Sequence, residues 1–293
     1  MVFSFRMPLF FVISGLFIGK SIQKREGKSF VGYKFNSIMY PYFIWGFIQI
    51  SIQIVLSNYT NASRGLQDYL SLFISPRQID QFWYLYALFN CSVLFYFIFR
   101  YLNPSNFIHV CLALVMFGLS YFIQEYDLFH DLLYYYLFLV LGHSFRNILL
   151  RTDFSLKQLF LIFLILTPFF WFSQWYWLNN MDINMYLFGM IAVLGTLYVF
   201  IAARLLVYVQ FSKILIFVGQ YSLQVYLLHV MALAAFRIFF LKILVLDFPV
   251  LILFTGWLAG VFIPIIFYLS VKKTFLNILF DPPWKEAKHS KPN

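Results

Sequence analysis

The chain has 293 residues, 62% of them hydrophobic and only 11% charged, with 40 Phe, 21 Tyr and 7 Trp. A soluble domain is about 25% charged, and a water-soluble fold of this size has no interior large enough for so much apolar surface. The same composition excludes a disordered chain, a coiled coil, collagen and a disulfide-rich secreted scaffold, and leaves an all-α, polytopic transmembrane helix bundle. The net charge of +10 belongs in such a protein to loops on the cytoplasmic side, so no nucleic-acid partner is expected.

A helix needs roughly 20 mostly apolar residues to cross a bilayer. Nine stretches meet that requirement: 2–19, 38–57, 82–101, 106–124, 129–149, 158–178, 183–204, 214–236 and 248–271. The first resembles a signal peptide in length, but the basic run Lys20–Lys28 follows it in place of a small-residue cleavage site, so it is read as a membrane helix. A barrel is excluded because runs such as Leu159–Leu166 do not alternate between polar and apolar residues.

The longest outer loop, 58–81, holds two glycosylation-type triplets, Asn58-Tyr59-Thr60 and Asn61-Ala62-Ser63. A single membrane domain is expected over 1–273, followed by a polar tail, 274–293, whose last residues are expected to be disordered.

Placing loop 20–37 in the cytoplasm and alternating outward puts sixteen basic residues on the cytoplasmic side and five outside. The opposite orientation violates the positive-inside rule. The C-terminus is therefore expected in the cytoplasm and Met1 outside. Cys91 and Cys111 lie in apolar runs, read as small buried hydrophobes, and no metal-ligand spacing is present.

Polar groups at membrane depth are costly, so each is a candidate for function. Arg6 lies at the outer end of the first helix, where it either snorkels to the headgroups or faces an internal cavity. The run Gly219-Gln220-Tyr221-Ser222-Leu223-Gln224-Val225-Tyr226-Leu227-Leu228-His229 turns part of its helix toward protein or water, serving either interhelical hydrogen bonding or a substrate cavity. His143 reads as an interfacial histidine, and His109 and His130 lie near helix ends. Lys20, Lys24, Arg25, Lys28 and Lys34 fix the first loop inside, and the same cluster suits a cytoplasmic polyanion such as a nucleotide or coenzyme A.

Four stretches in order resemble one family. They are Phe5-Arg6-Met7-Pro8-Leu9-Phe10-Phe11-Val12-Ile13-Ser14-Gly15; Lys34 through Tyr40-Pro41-Tyr42-Phe43-Ile44-Trp45; Phe82-Trp83-Tyr84-Leu85-Tyr86-Ala87-Leu88-Phe89; and the Gly219–His229 run. Their order and spacing resemble the acyltransferase type 3 family of integral-membrane O-acyltransferases, over residues 5 to about 271.

The resemblance implies transfer of an acyl group, most often acetyl, from cytoplasmic acetyl-CoA to a hydroxyl of a cell-surface polysaccharide or lipid-linked sugar. It implies a multi-pass protein of the bacterial inner membrane, with acyl-CoA as co-substrate and no permanently bound cofactor. The family's first helix carries an arginine and a histidine needed for transfer. This chain is expected to begin where the second helix would, as a shortened or degenerate member. Arg6 occupies a position that is often histidine in relatives, and Lys34-Phe35-Asn36-Ser37 stands where the family has Arg-x-x-Arg.

The expected assignments are therefore His229 as the catalytic base, Lys34 and Ser37 at the acyl donor, and Arg6, Ser14, Trp83 and Tyr226 lining a tunnel. The alternatives are a non-catalytic transporter or export partner for a lipid-linked glycan, and a purely structural membrane subunit.

Overall fold

The computed structural model describes residues 3–25, 27–57, 64–151, 154–180, 182–208, 212–243 and 248–284. The two glycosylation-type triplets and the tail from 285 onward lie outside them. The helices are α1 (Phe3–Lys24), α2 (Lys28–Lys34), α3 (Tyr40–Val55), α4 (Asp68–Ile74), α5 (Trp83–Phe97), α6 (Asn106–Leu119), α7 (Asp127–Ser144), α8 (Arg146–Arg151), α9 (Leu156–Asn179), α10 (Met185–Tyr208), α11 (Ser212–Gln220), α12 (Ser222–Ile238) and α13 (Pro249–Val271). There is no strand among the described residues, and the protein is an all-α polytopic bundle.

Eight helical stretches among the described residues are long and apolar enough to cross a membrane. The ninth expected span, 129–149, is helix α7. It falls short of that apolarity because it carries Asp127, His130, Asp131 and three consecutive tyrosines, and it can carry them because protein encloses it: Asp131, Tyr134–Val140 and Gly142 are all buried. The expected span 214–236 is corrected in its bounds. The helix breaks at Tyr221, and the membrane-length stretch is Ser222–Leu241. Gly219 and Ser222, both weak helix formers, flank the break.

The described contacts fall into two compact units. The first comprises residues 1–31 and 87–212. In it α7 packs on α1 and α6, and α10 packs on α1 and α9. The approach of α1 to α7 needs glycine on both sides. A Cβ on Gly15 would lie 2.1 Å from the Leu139 carbonyl oxygen, and one on Gly142 would lie 2.0 Å from that of Val12. Small residues let membrane helices meet backbone to backbone in this way.

Phe11 stacks on Tyr135 with ring centroids 4.7 Å apart, and the buried Ser4 hydroxyl donates to Gln174 Oε1 at 2.7 Å. His109 is buried, with Nε2 2.7 Å from the Tyr136 hydroxyl. His143 sits against the edges of Phe95 and Phe99, so it is packed among helices as well as near a helix end. Cys91 is buried as expected, whereas Cys111 is exposed.

The second unit comprises residues 32–86 and 213–293. Its most informative feature is the segment after α3, read from sequence as an outer loop. It folds back along α3. Arg64 Nε donates to Gln53 Oε1 at 3.1 Å, Tyr69 stacks on Phe47 and meets the Ser51 hydroxyl, Leu72 presses on Gly46, and the Tyr42 hydroxyl donates to the Leu72 carbonyl at 2.6 Å. From Gln53 to Tyr42 is about 16 Å of helix at 1.5 Å per residue. The chain then returns through Pro76 and Ile79, both buried, to meet Gln49 at Asp80. Residues 64–82 are thus a re-entrant hairpin. Irregular backbone at this depth is tolerated only where protein or a water-filled cavity covers it.

The segment after α13 packs back on the same unit. Phe280 is buried against Trp45 and Tyr268, the Tyr40 hydroxyl donates to the Ile278 carbonyl at 2.6 Å, and Trp284 Nε1 donates to Asn36 Oδ1 at 3.1 Å.

Candidate functional site

Five of the residues singled out from sequence (Lys34, Ser37, Trp83, Tyr226 and His229) fall in the second unit. Helix α12 places Tyr226 and His229 one turn apart on one face. The Tyr226 hydroxyl donates to the backbone carbonyl of Gln81, and its ring meets Tyr84 edge-on, with centroids 5.4 Å apart. The His229 ring lies 6.2 Å from that of Tyr226. His229 is half-buried, and its Nδ1 lies 3.1 Å from the Val225 carbonyl oxygen and 2.9 Å from that of Tyr226.

Those geometries determine the tautomer. Carbonyl oxygens only accept, so Nδ1 carries the proton and, in the neutral ring, Nε2 holds the lone pair. Nε2 has no hydrogen-bond partner among the described residues. A histidine held in this way is chemically able to take a proton from a hydroxyl. Five residues earlier on the same helix, Gln224 Oε1 is buried without a donor.

The re-entrant hairpin brings a polar cluster to the other side of Gln81. Gln49, only 1% exposed, donates through Nε2 to Asp80 Oδ2 at 2.6 Å, and Gln53 donates to the same oxygen at 2.9 Å. Gln81 Nε2 donates to Gln49 Oε1 at 3.2 Å. Arg64 lies 3.5 Å from Asp68 and 3.9 Å from Asp80, and also donates to the Gln78 carbonyl. Asp80 has φ +40°, a left-handed conformation that aspartate tolerates better than most side chains. Reasoning from sequence missed this cluster. The available signal was Gln49 and Gln53, four residues apart on one face of an otherwise apolar helix.

The donor-side residues sit at a π-helical turn, Phe35–Met39, that joins α2 to α3. Such turns recur at functional sites. Lys34 ends α2, half-buried. Ser37 directs its hydroxyl to the Tyr33 carbonyl at 2.8 Å, within its own helix turn. Trp83 opens α5 and carries the Arg77 guanidinium 5.2 Å over its ring. Arg6 and Ser14 lie on α1 in the first unit, Arg6 exposed and Ser14 half-buried. The structure thus brings Tyr226 and His229 together with the start of α5, and adds Gln81, Tyr84, Gln49 and Asp80 to them.

Among curated proteins and among solved structures, nothing matches the chain. A family model described as an acyltransferase domain matches residues 1–271, which include every residue of the site described above. That match covers most of the chain, and it agrees with eight membrane-length helices: the chain belongs to the acyltransferase type 3 family of membrane acyltransferases.

Proposed function

We propose that the protein transfers an acyl group, acetyl in the first instance, from acyl-CoA in the cytoplasm to a hydroxyl of a cell-surface polysaccharide or lipid-linked sugar, in the bacterial inner membrane. The observation that carries this reading is the tautomer of His229, with Nδ1–H held by two carbonyls and Nε2 left as an acceptor.

In this reaction His229 Nε2 takes the proton of the attacking hydroxyl. The hydroxyl oxygen bonds to the thioester carbonyl carbon, the carbon–sulfur bond breaks, and the departing thiolate recovers the proton from the imidazolium. General-base assistance of this kind contributes typically about 10²–10⁴-fold. Tyr226 and Tyr84 fix the helix turn that carries the base. Lys34 supplies a cation for the phosphates of the donor. Acyl-CoA is a co-substrate, and no permanently bound cofactor is required.

The test is transfer of labelled acetyl from acetyl-CoA by the purified protein in proteoliposomes. Label appearing as an alkali-labile ester on a sugar supports the reading. Movement of lipid-linked glycan across the vesicle without any acyl-CoA, and without label transfer, refutes it.

A further inference from the structure

We infer that the segment following the acyltransferase domain, residues 272–284, is a positioning strap: Trp284 and its neighbours hold the turn Phe35–Met39 in π-helical register and so set the direction of Lys34. The role given to Lys34, contact with the phosphates of acyl-CoA, rests on the acyl-transfer reading. The hold of the strap on the turn does not.

The strap is anchored within the second unit. Thr274 opens its short 3-10 turn, Phe275–Leu279. The Thr274 hydroxyl donates to the Val271 carbonyl at 2.9 Å and accepts from the Leu276 N–H at 3.3 Å, which turns the chain back at the end of α13. The anchor itself is apolar. Phe280 and Pro282 are buried, and the Phe280 ring lies 5.3 Å from that of Trp45 on α3 and 5.0 Å from that of Tyr268 on α13. Aromatic burial of this kind dominates the energy of a small contact.

From that anchor the strap reaches the turn at two points. The Tyr40 hydroxyl donates to the Ile278 carbonyl at 2.6 Å, and Trp284 Nε1 donates to Asn36 Oδ1 at 3.1 Å. The rings of Tyr40 and Trp284 meet edge to face, with centroids 5.6 Å apart. Asn36 lies inside the π-helical turn, and Tyr40 closes it by donating its N–H to the Phe35 carbonyl, five residues back. The two residues therefore bracket the turn, and the strap holds both.

A π-helical turn carries an extra residue and is rare without support from outside the helix. Pro41 opens the helix here, because it has no N–H and its ring crowds the carbonyl four residues back, that of Ser37. Proline kinks a helix without choosing its register, and the strap makes that choice. Each residue of an α-helix turns the chain by about 100°. Loss of the extra residue from the turn would therefore rotate α2 against α3 by about that angle. Lys34 is the last residue of α2, immediately before the turn, so it would move to a different face. A single cation placed to meet phosphate loses its contact under such a rotation.

The experiment uses the full chain in nanodiscs and compares the wild type with Trp284→Phe, which keeps an aromatic ring and removes the N–H. Tyr40→Phe, which removes the bond to Ile278, is the second variant. Thermal unfolding establishes that each is folded, and if one is not, the other decides. The readouts are amide hydrogen exchange in the peptide covering residues 35–40 and equilibrium binding of acetyl-CoA. Exchange in the turn is expected to quicken about 2–10-fold, the loss of one hydrogen bond, with an α9 peptide of the first unit unchanged. Acetyl-CoA affinity is expected to fall about 2–10-fold. In a Lys34→Ala background the same substitution should have no further effect on affinity, because a residue that acts through Lys34 adds nothing once Lys34 is gone. A purely structural role would lower affinity equally in both backgrounds.

Unchanged exchange in the folded variants overturns the strap. Faster exchange with unchanged acetyl-CoA affinity, or with an equal loss in both backgrounds, overturns the positioning of Lys34. The acyl-transfer reading fails separately. Faster exchange in the variants of a protein that binds no acetyl-CoA upholds the hold on the turn and removes the donor role of Lys34 together with that reading. Acyl transfer whose KM for acetyl-CoA is unchanged in Trp284→Phe upholds the enzyme and removes the role of the strap.

Discussion

The hydroxyl of Tyr42 donates to the backbone carbonyl of Leu72 at 2.6 Å, and both groups are buried. That one bond ties the deepest part of the re-entrant hairpin to α3. It also supplies the partner that an α4 carbonyl needs at the end of a seven-residue helix. The hairpin can lie at this depth because its loose backbone groups find partners such as this one.

Tyr42→Phe removes the donor and leaves the Leu72 carbonyl buried and unpaired. The expected cost is about 1–3 kcal/mol, read as a lower unfolding temperature in detergent. A cysteine introduced at Leu70 in the same background should react faster with a water-soluble maleimide, because the hairpin opens locally. Equal reaction rates in the two backgrounds would show that the bond does not hold the hairpin down.

The contact of α1 with α7 makes a separate prediction in the first unit. Gly142→Ala drives a methyl group to within 2.0 Å of the Val12 carbonyl oxygen, a backbone atom that cannot swing aside. Overpacking of this kind costs about 1–3 kcal/mol. Gly118→Ala, on α6 with nothing within 4 Å of the added methyl, should be neutral or stabilising by about 0.5–1 kcal/mol. The pair is compared by thermal unfolding, and equal stabilities would contradict the packing described.

At the π-helical turn the two donor-side residues should separate. Lys34→Ala removes a charge able to meet phosphate and is expected to weaken acyl-CoA binding about 10–100-fold, as loss of a charge-assisted hydrogen bond does. Ser37→Ala should leave binding unchanged, because that hydroxyl is already committed to the Tyr33 carbonyl. Equilibrium binding of acyl-CoA to both variants decides, and the reverse order would assign the donor contact to Ser37.

The helices were legible in the sequence because a bilayer imposes a length on any apolar run. Helix α7 was legible as a helix, but its enclosure was not. Nothing in Tyr134-Tyr135-Tyr136 or Asp131 distinguishes a helix surrounded by protein from a poor membrane span until its neighbours are known. The hairpin was not legible at all. Its helix α4 has seven residues, too few to register as a span, and Arg64, Asp68 and Asp80 read as the charges of an outer loop. Their partners, Gln49, Gln53 and Gln78, are brought to them only by the folding back of the chain.

Within the site, His229 could be found from sequence as a histidine deep in an apolar helix. Its tautomer could not, since that depends on which carbonyls its ring meets. Ser37 matched a family position by number, yet its hydroxyl is taken up within the helix, a fact that depends on the π-helical turn and not on the residue type.

The most direct test of the account is the rate of acetyl transfer from acetyl-CoA to a sugar hydroxyl in proteoliposomes, wild type against His229→Gln. Glutamine preserves polarity and bulk but cannot take up the proton. The expected result is ester formation by the wild type and a fall of about 10²–10⁴-fold in kcat in the variant, with acyl-CoA affinity unchanged. Transfer at the same rate in both proteins would contradict His229 as the base, and no transfer by either would contradict the acyl-transfer function itself.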